Sequence, residues 1–227
     1  MIIHECIKNQ NKGAVYVVDG TVLSYTVCDE EFRKLINRGM VNICDGGSIA
    51  LLAGKIHKQP FQQYTGSDIF NEFITKGYRQ CFLGGTPEKL AALRNKMVER
   101  GIEVGNCLYE PLPFRNVSEF DYEGIAARIN DFAPDLIWVS LGAPKQELFI
   151  DRLLPHLNKG VCFAVGAAFN FYSGLVKRAP VWMQRMHIEF IHRILSEPQK
   201  QTKRCWGIIT MYPGMIAKEW KACQQKL

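Results

Sequence analysis

Residues Asp135 to Phe149 read DLIWVSLGAPKQELF, and the fold follows from this stretch. Leu136 to Leu141 form a short, nearly continuous apolar run rich in β-favouring side chains, the pattern of a strand buried on both faces of a parallel sheet. Gly142-Ala143-Pro144 breaks the run, and Lys145-Gln146-Glu147 opens a helix, with Pro tolerated in its first turn because its missing N–H would be unpaired there. A glycine turn here leaves backbone N–H groups at the carboxyl edge of the sheet, where α/β proteins bind ligands. Any βα connection needs such a turn; Lys, Gln and Glu side by side after it favour a site.

The same strand–glycine–helix unit recurs outward from this centre. Ala14–Val18 reads as a strand ending at Asp19-Gly20, with Thr21–Arg38 as a helix presenting Phe32, Leu35 and Ile36 inward. Met40–Cys44 is a second strand running into Asp45-Gly46-Gly47, and the helix after it is expected to stop at Gly54. Asp45 at a strand end beside two glycines stands where a catalytic base would stand, and equally where an Asx turn would bond its own backbone. Thr65-Gly66-Ser67-Asp68 precedes the helical pattern of Ile69, Phe70, Phe73 and Ile74, with Ser67 or Asp68 as the expected cap. Gln80–Leu83 is a third strand, followed by Gly84-Gly85 and a helix from Pro87 to Arg100; Gly101–Leu108 reads as a further strand, and Tyr122–Phe132 as a helix. Gly160–Gly166 is another buried strand, closing in Gly166-Ala167-Ala168-Phe169-Asn170. Repeated units of this kind predict an α/β, Rossmann-like doubly wound and mostly parallel sheet.

The chain has 227 residues, 47% hydrophobic and 22% charged, an ordinary globular balance. No 18-residue apolar run is present to span a membrane, and the opening MIIHECIKNQNK lacks a signal-peptide core. Eight scattered cysteines without CxxC or Cys/His spacing argue for reduced thiols rather than disulfides or zinc. There is no GxxxxGK[ST], and no GxGxxG opens the first unit, which speaks against P-loop and dinucleotide chemistry. The net charge of +6 is carried at one end: residues 177–204 hold seven basic and two acidic side chains, whereas residues 1–176 are close to neutral. Such asymmetry suits a polyanion or an anionic membrane surface, or is a solvated helix face. With no RRM, KH or helix-turn-helix signature, nucleic acid is not the expected partner. Arg193, Lys200 and Lys203 recur at spacings of seven and three, near one face of a helix. The apolar residues from Trp206 to Ile216, interrupted by Pro213-Gly214, suit interfacial seating, or packing on the sheet or on a neighbouring subunit of a homo-oligomer.

Taken in order, CDGGSI at 44–49, TGSD at 65–68, LGGTPE at 83–88, SLGAPKQE at 140–147, AVGAAFNFYSGLVKRAPVWM at 164–183 and IEF…R…EP at 188–198 resemble the WecG/TagA/CpsF family of bacterial glycosyltransferases (glycosyltransferase family 26). The resemblance spans about residues 14–204, with GAPKQE and SGLVKRAPVWM its most specific parts. It implies an α/β catalytic domain over 1–189 and a basic C-terminal helical appendage over 190–227 that folds over the active site near lipid. It further implies transfer of an N-acetylhexosamine-type sugar, such as ManNAc or its uronic acid, from a UDP donor to a polyprenyl-diphosphate-linked acceptor. Inversion at the anomeric carbon, no metal or other cofactor, and a peripheral seat on the cytoplasmic face of a bacterial plasma membrane come with it. Asp45 matches the family's proposed base. Thr65, Gly66, Asp68, Gly84, Gly85, Gly142, Pro144, Lys145, Gln146, Glu147, Gly166, Phe169 and Asn170 are the expected UDP-sugar contacts, and Arg178, Arg193, Lys200, Lys203 and Arg204 the expected diphosphate and acceptor contacts. The chain departs from the family pattern at Val17-Val18-Asp19 (usually TxN), at Asn170 (usually Asp), at Phe190 (usually Trp), and at Lys200 and Lys203 (usually Arg). Lysine keeps the charge but loses bidentate phosphate geometry. The competing expectation is a non-catalytic α/β module that binds anionic lipid or nucleotide through its basic tail.

Overall fold

The computed structural model describes residues 2–180, 182–183, 186, 189–196 and 198–225, and the side chains of 190, 193, 196, 198–205, 207 and 209 are not among those described. Six strands, β1 (Lys12–Val18), β2 (Val41–Cys44), β3 (Gln80–Leu83), β4 (Cys107–Glu110), β5 (Leu136–Val139) and β6 (Gly160–Ala164), form one sheet in the order β2-β1-β6-β5-β3-β4. Every pairing is parallel, with Tyr16 beside Ala164, Ile137 beside Cys162 and Cys81 beside Ile137.

Alternation along the strands sends side chains to two cores, one per face. On one face Tyr16, Leu83, Ile137 and Cys162 meet α2 (Gly20–Cys28), α3 (Glu30–Asn37), α7 (Tyr122–Phe132) and α8 (Lys145–Leu153) through Val22, Phe32, Ile129 and Phe149. On the other, Val15, Phe82, Trp138 and Phe163 meet α1 (Ile2–Lys8), α5 (Gly66–Ile74), α6 (Pro87–Glu99) and α9 (Ala168–Tyr172). Trp138 lies at the middle of this second layer, its ring 4.9 Å from Phe70 and 4.5 Å from Phe163. Its indole N–H donates to Gln80 Oε1 at 2.9 Å, and Gln80 Nε2 donates to the Ile74 carbonyl at 3.1 Å, so the buried polar atoms are satisfied. The fold class expected from the sequence is therefore the one observed, with the sheet parallel throughout.

Several boundaries differ from the sequence reading. The helix expected over Thr21–Arg38 is two helices, because Asp29 turns extended and its carboxylate accepts the Phe32 N–H at 3.0 Å, capping α3. Gly54 does not stop its helix: α4 runs Gly47–His57 and ends at Lys58, in the left-handed region at φ +53°. The cap of α5 is Thr65, with Asp68 closing a capping box, so Ser67 and Asp68 lie inside the first turn. Of the expected strand over Gly101–Leu108 only Cys107 and Leu108 pair, and β4 continues beyond it to Glu110.

The chain finishes in α10 (Glu189–Ser196) and α11 (Pro198–Gln224). Pro213 does not interrupt α11, which continues through it. α11 lies along α2 and α4: a Cβ on Gly20 would meet Ile208 Cδ1 at 3.0 Å, the Tyr212 hydroxyl bonds the Ser48 side chain, and His57 Nε2 is 3.2 Å from Glu219 Oε1. No helix among the described residues is long and apolar enough to cross a membrane.

Candidate functional site

A cavity of about 630 Å³ opens over the carboxyl ends of the strands. Much of its wall is made of turns that follow strands: Asp19 after β1, Asp45 after β2, Gly85 after β3, Ser140–Ala143 after β5 and Val165–Asn170 after β6. Convergence of this kind is what a parallel sheet produces, because all its strands point the same way.

Of the three carboxylates that line this space, Asp19, Asp45 and Glu189, the first two follow strands and differ in their surroundings. Asp19 caps α2, its Oδ1 accepting the N–H groups of Thr21 at 2.8 Å and Val22 at 2.9 Å. Asp45 Oδ2 lies 3.4 Å from the Gly66 N–H, while its carbonyl accepts from Gln63 Nε2 at 3.3 Å. Asp45 follows a strand that is tied to β1 by a bond from its own N–H to Val18 O at 3.0 Å, so the backbone beneath the carboxylate is fixed.

The turns after β5 and β6 are held together by one side chain. Gln146 Oε1 accepts the Gly142 N–H at 3.1 Å and the Gly166 N–H at 3.0 Å, and its Nε2 donates to Glu147 Oε1 at 2.9 Å. Ser140 Oγ adds a bond to Gly166 O at 2.5 Å. These contacts correct the expectation that the glycine N–H groups stand open to a ligand: two of them are committed to Gln146. Both glycines adopt positive φ, +77° at Gly142 and +55° at Gly166, which side chains with a Cβ resist. Glu147 is 0% exposed and lies outside the lining.

Positive charge enters from two sides. Arg178 reaches the α5 cap, with Nη2 at 3.3 Å from Thr65 Oγ1, and lies 3.6 Å from Asp68 Oδ1 and 3.7 Å from Glu189 Oε1. Lys89, on the first turn of α6, lines the opposite wall beside Gly85. Lys145 is turned elsewhere, its Nζ 4.8 Å over the Phe114 ring and 5.4 Å over Phe120.

Of the residues singled out from the sequence, Asp45, Thr65, Gly66, Gly85, Gly142, Gln146, Gly166, Phe169, Asn170 and Arg178 line the cavity together. Asp68, Gly84, Pro144, Lys145 and Glu147 support its walls without lining it. Arg193, Lys200, Lys203 and Arg204 fall on α10 and α11, but their side chains lie outside those described, as do Val181, Ile188 and Glu197 of the quoted motifs. The sequence reading missed Lys89 and Phe114 as lining residues; Lys89, three residues into a helix that follows a Gly-Gly turn, was the more accessible to it. Among the described residues no three His, Cys, Asp or Glu side chains converge in a metal-binding group.

Comparison with known proteins gives this geometry a context. An N-acetylglucosaminyldiphosphoundecaprenol N-acetyl-beta-D-mannosaminyltransferase of Bacillus spizizenii (strain W23) is 26% identical over 199 residues, covering 85% of this chain and 75% of that protein. Proteins of the same description from Bacillus subtilis (strain 168) and Staphylococcus aureus (strain MW2) are 25% identical over 220 residues and 23% identical over 198. They cover 94% and 83% of this chain, and 82% and 75% of their own lengths. The model of the glycosyl transferase WecG/TagA/CpsF family matches residues 2–225. The chain belongs to the WecG/TagA/CpsF family of glycosyl transferases.

Proposed function

We propose that the protein transfers an N-acetylhexosamine-type sugar, ManNAc in the first instance, from a UDP donor to a polyprenyl-diphosphate-linked saccharide, with inversion and without a metal. The observation that carries this reading is Asp45, on the wall of the cavity that also gathers the turns after β3, β5 and β6. The names of the relatives supply the acceptor class and the β linkage.

In the proposed step the acceptor hydroxyl attacks the anomeric carbon from the face opposite UDP. A new C–O bond forms as the bond to the β-phosphate oxygen breaks, and the electron pair leaves with UDP. Asp45 takes the hydroxyl proton. The leaving diphosphate needs cations and oriented dipoles; Lys89 and Arg178 are on the cavity wall, and the cap of α6 at Thr86 adds a helix N-terminus beside Gly85. Arg193, Lys200, Lys203 and Arg204 join them by family resemblance alone. Asp19, holding two backbone N–H groups, serves the fold of α2 rather than proton transfer.

A polyprenyl acceptor lies in a bilayer, and the excess positive charge of residues 177–227 supports a peripheral seat on its anionic cytoplasmic face in a bacterium. The test is UDP release by the purified chain from a panel of UDP-sugars with a GlcNAc-diphosphate-polyprenol acceptor. Release that requires both the acceptor and a UDP-N-acetylhexosamine supports the proposal; release from no member of the panel overturns it.

A further inference from the structure

Glu147 is a buried acidic side chain that the proposed step does not use. It is 0% exposed and does not line the cavity, so it acts on a bound molecule only through a neighbour. That neighbour is Gln146, whose Nε2 donates to Glu147 Oε1 at 2.9 Å. Both residues stand in the first turn of α8, and only Gln146 reaches the cavity.

Gln146 ties two turns together. Its backbone N–H donates to the Gly142 carbonyl at 3.0 Å and its Oε1 accepts the Gly142 N–H at 3.1 Å, a reciprocal pair that pins the turn after β5. The same Oε1 accepts the Gly166 N–H at 3.0 Å, while Ser140 Oγ donates to the Gly166 carbonyl. A side-chain amide has two ends of nearly equal size and opposite polarity: the oxygen accepts and the NH2 group donates. Rotated by half a turn, Gln146 would set its NH2 group against two N–H donors, and the link between the turns would be lost. The choice is made at the far end of the amide, where a carboxylate oxygen takes the NH2 group and not the carbonyl. Hydrogen bonds in such a chain also polarise one another, so the bond on Nε2 makes Oε1 the stronger acceptor.

We propose that Glu147 is a positioning residue: it fixes the Gln146 amide in the orientation that joins the β5 and β6 turns, and so shapes the donor side of the cavity. Its effect on donor KM rests on the nucleotide-sugar reading given above, whereas its effect on Gly142 and Gly166 does not.

The experiment follows the amide resonances of Gly142 and Gly166 by NMR of the chain labelled with 15N-glycine, together with donor KM and kcat. The variants are Glu147→Gln and the double variant Gln146→Glu/Glu147→Gln. In Glu147→Gln the partner of Gln146 can present either an oxygen or an NH2 group, so the amide is no longer oriented. The Gly142 and Gly166 amide protons are expected to move upfield and to exchange faster with solvent, while Gly101, at the amino end of the sheet, keeps its resonance. Donor KM is expected to rise on the order of tenfold, with kcat changed less. In the double variant a carboxylate stands at 146, both of whose oxygens accept, so nothing is left to orient, and both resonances and donor KM are expected to return toward wild type. Gly142 and Gly166 unmoved in Glu147→Gln would overturn the proposal. So would a double variant that fails to restore them, which would leave Glu147 a packing residue only. A single variant that does not fold, beside a double variant that folds with both glycine resonances in place, supports it. A wild type with no donor activity would overturn the donor reading and leave the glycine resonances to decide the role of Glu147.

Discussion

Asp45 and Asp19 are both carboxylates at strand ends, and the proposal gives proton transfer to Asp45 and the cap of α2 to Asp19. Asp45→Asn is expected to lower the rate of transfer by about 10²- to 10⁴-fold while UDP binding, read by calorimetry, stays near wild type; undiminished turnover would return Asp45 to the status of a turn residue. Gln146→Ala leaves the Gly142 and Gly166 N–H groups without their shared acceptor. Both donors are part-buried on the cavity wall, so each costs at most about 1–3 kcal/mol; a fall in Tm with a raised donor KM is expected, and an unchanged Tm would contradict the role of Gln146 in joining the two turns. Burial pushes the Cys162 thiol up to about 12 and raises Cys81 as well, whereas Cys28 is exposed. Thiol reagent at pH 8 is therefore expected to label Cys28 well before Cys81 or Cys162 in the native protein. Asp45 was legible in the sequence because its neighbours, a strand and two glycines, are adjacent in the chain. The bracket of Gln146 was not, since one of its partners lies twenty residues away, and Phe114 reads in sequence as an ordinary apolar residue between Pro113 and a polar loop.

The elements were legible wherever periodicity was unbroken: β3, α6 and α7 fall within a residue of their expected bounds, and β5 starts where expected and ends two residues earlier. Errors occurred where one polar side chain decides the outcome. Asp29 splits a helix by capping it, and Thr65 rather than Ser67 or Asp68 caps α5. Gly84 illustrates a constraint that only packing reveals: it holds φ +107°, and a Cβ there would lie 2.7 Å from the Ser140 carbonyl oxygen. Gly84→Ala is expected to destabilise by more than about 1 kcal/mol, or a few degrees in Tm for a chain of this size, and a neutral result would contradict the close approach of the β3 and β5 turns. α11 rests on α2 and α4, the helices that follow Asp19 and Asp45, and among the described residues none of it lines the cavity. A chain ending at residue 196 is accordingly expected to keep most of its UDP affinity while losing transfer; retention of full transfer to a lipid-linked acceptor would show that α11 is dispensable to the site.

At the scale of the whole molecule, a near-neutral α/β body carries a positively charged end, and in the proposed reaction the two properties answer to two substrates: a nucleotide sugar over the sheet and an acceptor anchored in lipid. Each Lys or Arg near an anionic leaflet contributes roughly 1 kcal/mol of attraction, screened by salt. Binding to vesicles containing anionic phospholipid is therefore expected to fall steeply as salt is raised, and salt-independent binding would point to apolar insertion through exposed residues such as Trp206 instead. The central claim is that one carboxylate at a strand end, without a metal, drives inversion. The most direct measurement is the anomeric configuration of the glycosidic bond formed from an α-linked UDP-N-acetylhexosamine in the presence of EDTA, read by NMR of the product. The account predicts a β-linked product, made at a rate that the chelator leaves unchanged. An α-linked product, or one whose formation stops with EDTA and returns with Mg²⁺ or Mn²⁺, would contradict it.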